Sequence, residues 1–129
     1  MKTFLLLLPL FLIIIVSGCT NYGGGGDNQL QQPPPPDEQK IYEIEITSTG
    51  FSPSSVTIKA GDAIKFINNG DTPRWPASNP HPIHTDYPGF DAKQPIRPDN
   101  SYSFTFNSKG TFGYHDHLNP TIGGTITVI

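Results

Sequence analysis

The chain has 129 residues, with 8 Lys and Arg against 11 Asp and Glu, a formal charge of −3, and a single cysteine. That length leaves room for one small domain, and the charge, with no basic run, disfavours nucleic-acid binding and electrostatic attachment to anionic lipid. One cysteine excludes a disulfide framework.

At the N-terminus Lys2 precedes an apolar run over residues 4–16, interrupted only by Pro9, and Ser17-Gly18-Cys19 follow. About a dozen apolar residues are short for a membrane span, which needs roughly 20, and they predict the core of an export signal over residues 1–18. Val16-Ser17-Gly18-Cys19 resembles the bacterial lipobox. The resemblance implies cleavage before Cys19, lipidation of that cysteine, and a mature chain anchored to the membrane on its extracytoplasmic side, at the cell surface or in the periplasm. An ordinary secretory signal with an incidental cysteine is the alternative. A lipidated Cys19 leaves no thiolate for metal binding or catalysis. In residues 19–40, four consecutive glycines and then four consecutive prolines predict a disordered tether, flexible and then stiffer, that buries no core.

From residue 41 to 129 the apolar pattern has period two. Ile44 and Ile46 alternate with Glu43 and Glu45, Val56 and Ile58 with Thr57 and Lys59, and Ile64 and Phe66 flank Lys65. Tyr102, Phe104 and Phe106 alternate with Ser103 and Thr105, Phe112 and Tyr114 lead into two histidines, and Ile126 and Val128 share a face of the last run. Turn signals separate these runs, among them Ala60-Gly61-Asp62, Asn68-Asn69-Gly70-Asp71 and Pro98-Asp99-Asn100. No helical period is present. Short alternating strands predict an all-β antiparallel sandwich or barrel. The exception is the proline-rich segment 72–98, which lacks a strand period. Structureless loops of more than about 15 residues are uncommon and usually functional.

All four histidines lie in two pairs: His81 and His84 in that segment, His115 and His117 at a strand end. Side chains alternate across a strand, so His115 and His117 share one face while Tyr114, Asp116 and Leu118 share the other. Same-face positions lie about 7 Å apart, close enough for two imidazoles to reach one ion. Imidazole suits copper, zinc, iron or nickel. Histidines that merely cap loops are the alternative.

The ordered runs Phe51-Ser52-Pro53, Val56 through Asp62, Phe66-Ile67-Asn68-Asn69, Tyr102 through Phe106, Gly110 through Tyr114 and Gly124 through Val128 are similar to the cupredoxin family. The resemblance implies a Greek-key β-sandwich with a copper site in loops at one end. Laid on that family's Cys, His and Met ending, the chain puts Asp116 at the cysteine, Asn119 at the histidine and Ile122 at the methionine. The upstream histidine falls near Arg74 or Trp75. A blue site needs the thiolate, so a blue electron carrier is not expected. His81-Pro82-Ile83-His84 and Tyr114-His115-Asp116-His117 also resemble elements of the multicopper oxidases. That likeness matches His84, His115 and His117 to positions of a trinuclear cluster and His81 to a type 1 ligand. One domain with four histidines is too little for such a cluster.

These readings predict a lipid-anchored copper-binding protein with a non-blue, type 2-like site of His81, His84, His115 and His117, used for copper capture, buffering or transfer. Cu(II) is the expected ion and zinc the inorganic alternative. Asp116 is expected to point inward and to orient a histidine or ligate weakly; Asp86 is a weaker candidate for the same part, and Asp91 is expected in solvent. Two other functions stay open: a copper-dependent redox enzyme assembled as an oligomer, and a metal-free interaction module. The sequence does not identify a protein partner.

Overall fold

The computed structural model describes residues 38–129. The expected export signal, the lipid on Cys19 and most of the glycine- and proline-rich tether lie outside the described residues. The last expected tether residues are attached to the fold. Gln39 Nε2 donates to the Gly61 carbonyl at 2.8 Å, and the Lys40 N–H donates to Asp62 Oδ1 at 2.9 Å.

Eight strands form among the described residues: β1 (Ile41–Ile46), β2 (Phe51–Ser52), β3 (Ser55–Ile58), β4 (Ala63–Asn68), β5 (Pro76–Ser78), β6 (Ser101–Thr105), β7 (Gly110–Asp116) and β8 (Asn119–Val128). They build two four-stranded sheets in the orders β2-β1-β4-β6 and β3-β8-β7-β5. The sheets are mixed, where the alternation had suggested antiparallel pairing throughout: β1 runs parallel to β4 and β3 parallel to β8. The reason is connectivity. After the β1-β2 hairpin the chain crosses to the other layer as β3 and returns as β4, so it re-enters the first sheet in the same direction.

The period-two pattern buries one side of β1, β3 and β4 and of the end of β8, residues 125–128. Ile44, Ile46, Ile58, Ile64, Phe66, Phe106, Tyr114, Ile126 and Val128 form the core between the sheets. Glu43 and Glu45 stay exposed on β1. The segment 72–98 is more ordered than its composition suggested. It contributes β5, and isolated bridges join Arg74 to Ile96 and Ala77 to Asp91. Tyr87 and Phe90 drop into the core, where Phe90 stacks on Phe66 at 5.6 Å between centroids. The Tyr87 hydroxyl accepts the N–H groups of Asn107 and Ser108 at 2.7 and 3.1 Å. These two aromatics pin the segment against the sandwich rather than covering a site.

Candidate metal centre

Strand alternation sorts the end of β7. Tyr114 and Asp116 are buried on the inner side, Tyr114 against Phe51 and Phe66. His115 and His117 face the other way, under residues 79–91. Leu118 departs from the expected inner face and is half exposed, because β7 ends at Asp116 and His117-Leu118 form the turn into β8. That turn is closed by Asp116 Oδ1, which accepts the Leu118 N–H at 3.1 Å.

The antiparallel β5-β7 pair, with Ala77 opposite His115, delivers the loop histidines to the same place. Beyond β5 the chain makes a tight turn in which the Ile83 and His84 N–H groups both donate to the Pro80 carbonyl, at 3.0 and 2.9 Å. His84 closes the turn with φ 53°, the left-handed region that non-glycine residues occupy at a cost of about 1–3 kcal/mol and that clusters at functional sites. Its ring thereby meets β7. Gly113 supplies the room: a Cβ there would collide with the side-chain amide of Asn79.

The result is a four-histidine cluster. One ring nitrogen from each of His81, His84, His115 and His117 lies within 4.8 Å of the others. His81 Nδ1 is 3.3 Å from His115 Nε2, and His117 Nδ1 is 3.0 Å from His84 Nε2. The outer nitrogens fix the tautomers. His115 Nδ1 faces Asn79 Oδ1 at 2.9 Å and His84 Nδ1 faces Asp91 Oδ2 at 3.0 Å, so both carry their proton on Nδ1 and aim the Nε2 lone pair inward. Trp75 lies against His117 with centroids 4.5 Å apart, and its Nε1–H donates to Asp91 Oδ1 at 2.6 Å. Asp91 thus holds His84 directly and, through Trp75, the ring beside His117.

Electrostatics favour neutral imidazoles. Burial foremost, then the neighbouring His84, His81 and His117, push the His115 pKa below 6.5; burial and then His81 and His84 do the same to His117. Burial alone would raise the Asp91 pKa, but hydrogen bonds from Trp75, the Lys93 N–H and His84 outweigh it and hold the carboxyl below its usual range. Four imidazole nitrogens beside an ionised outer carboxylate fit a divalent borderline metal. With metal–nitrogen bonds of about 2.0–2.1 Å, neighbouring ligands in a four-coordinate site sit roughly 2.9–3.4 Å apart. The two close pairs already lie in that range.

The expected aspartates divide differently. Asp116 touches none of the histidines through a hydrogen bond: its carboxylate pairs with Arg74 Nη1 at 3.0 Å and accepts the Trp75 N–H at 2.8 Å. Asp86 is exposed, and its backbone N–H donates to the Asn79 carbonyl. Asp91, expected in solvent, is the carboxylate that holds a histidine of the cluster, His84, because the Ala77-Asp91 bridge draws it in. Asn79 and Asp91 had no sequence signal, since each meets its histidine only when the segment folds over β7. Asp91→Ala is expected to lower Cu(II) affinity about 10–100-fold, the usual cost of losing such a partner, as measured by competition titration.

The chain matches a family model described as cupredoxin-like domain over residues 10–128. It is 34% identical over 90 residues to a plastocyanin from Scenedesmus fuscus, a match covering 60% of this chain and 85% of that protein. Among solved structures, a purple cupredoxin from Nitrosopumilus maritimus superposes with a TM-score of 0.60 at 19% identity, over 68% of this chain and 99% of that one. A mutant fern plastocyanin gives 0.58 at 21% identity, over 67% and 99%. A mutant of amicyanin with Cu(I) gives 0.58 at 21% identity, over 69% and 82%. The structural matches establish the fold.

Proposed function

The chain belongs to the cupredoxin-like domain family, and from that premise we propose that it binds one copper ion through His81, His84, His115 and His117, as a non-blue centre for copper capture, buffering or transfer. The observation that carries this reading is the convergence of four imidazole nitrogens within 4.8 Å, with the rings of His84 and His115 held by outer hydrogen bonds. Copper is the cargo. An all-imidazole set of four nitrogens suits Cu(II), which such sites bind more tightly than zinc.

Electron transfer of the blue type is the poorer fit. By the family resemblance Asp116 stands where the thiolate would be, and Arg74 near the upstream histidine. Here these two side chains form a buried ion pair. We further propose that the chain is exported and held at the membrane by lipid on Cys19, which would set the site to work outside the cytoplasm.

Calorimetric titration of the full chain at about pH 7.5 is expected to give one Cu(II) per chain, with affinity far tighter than millimolar. Binding should weaken as pH falls below about 6, where protons compete for the imidazoles. The metal-free fold should lose stability in the same direction. With His115 and His117 held below 6.5 when folded, the unfolded chain takes up more protons as pH drops past that value. Absence of binding at about pH 7.5, or affinity flat down to about pH 5, would contradict the reading.

A further inference from the structure

The four histidines are not held alike, and the difference suggests how copper enters and leaves. His115 is buried and its Nδ1 is bonded to Asn79; His84 is half-buried and bonded to Asp91; His117 lies against Trp75 and its backbone N–H donates to the Trp75 carbonyl at 2.7 Å. His81 is exposed. Among the described residues its hydrogen bond and ring contacts run to the other three histidines alone, with centroids 6.4 Å from His84, 5.2 Å from His115 and 4.7 Å from His117. Its backbone sits at the head of the Pro80–His84 turn, so the ring can swing outward on its own side-chain torsions while the turn stays closed.

Resting on the copper reading above, we propose that His81 is the exchange ligand of the centre: three anchored histidines retain the ion, and the position of His81 Nδ1 is the one at which an incoming donor attaches. In that step one copper–nitrogen bond to His81 breaks and one bond forms to an imidazole, amine or carboxylate of the acceptor. The oxidation state is unchanged and no electron is required. The acceptor approaches from the exposed side, where Ile83 also stands 65% exposed. The buried side of His115 offers no such approach.

The test compares the full chain with its His81→Ala and His115→Ala variants, each loaded with Cu(II), by following transfer to excess chelator and the electron paramagnetic resonance spectrum. The His81→Ala variant is expected to retain one Cu(II), to release it severalfold faster, and to regain the original spectrum and rate when free imidazole is added at roughly millimolar concentration, comparable to what a tethered ring presents. The His115→Ala variant should not be rescued. Loss of copper from His81→Ala as complete as from His115→Ala, an unchanged release rate, or no response to imidazole would overturn the proposal. Failure of the unsubstituted chain to bind copper is a separate result, and it would overturn the copper reading itself.

Discussion

Replacing His115 by alanine is expected to lower Cu(II) affinity by at least about 100-fold, because losing even the outer partner of a ligand costs about 10–100-fold and this change removes the ligand. His115 is 3% exposed, the most enclosed of the four histidines. It also keeps Asn79 in place over Gly113. The sandwich should survive, since its core lies on the other side of β7. Competition titration against a chelator of known affinity measures the loss, and circular dichroism checks the fold. An affinity within about threefold of the unsubstituted chain, well short of even an outer-partner loss, would mean that His115 is not a ligand.

The second large effect concerns stability. Asp116 is 1% exposed and bonds three donors: Arg74 Nη1, the Trp75 N–H and the Leu118 N–H. Arg74 in turn donates to the Ser48 carbonyl at 3.1 Å, so the pair ties the β1-β2 turn, the segment just before β5 and the end of β7 together. Asp116→Ala leaves a guanidinium buried without its counter-charge, which destabilises proteins by about 3–5 kcal/mol. For a small domain that is a large share of total stability, about 5–15 kcal/mol. Chemical denaturation of the metal-free chain reads it directly, and a loss below about 1 kcal/mol would show that the pair is not structurally engaged.

The two changes separate what one short strand does. At the end of β7 the residue types alternate between a side that joins the histidine cluster and a core-facing side, and that division could be read from the sequence because it needs only the period of a strand. The core positions on β1, β4 and β8 were legible for the same reason. Less visible was everything that depends on contacts between distant residues. The parallel pairing of β1 with β4 arises from where the chain crosses between layers. Asp116 finds Arg74 42 residues away, and its inward side chain serves that ion pair rather than a histidine. Asp91 looked like a solvated loop residue because nothing near it in sequence marks the bridge to Ala77. Segment 72–98 drew attention by its composition, yet proline content alone could not reveal that it holds a strand and two core aromatics.

The most direct measurement is the electron paramagnetic resonance spectrum of the full chain loaded with one equivalent of Cu(II), recorded with its visible absorption. A type 2 spectrum with hyperfine structure from several equivalent nitrogens, and no intense blue band, is the expected result. A blue-type spectrum, or a signal of free aqueous copper alone, would contradict the four-histidine centre.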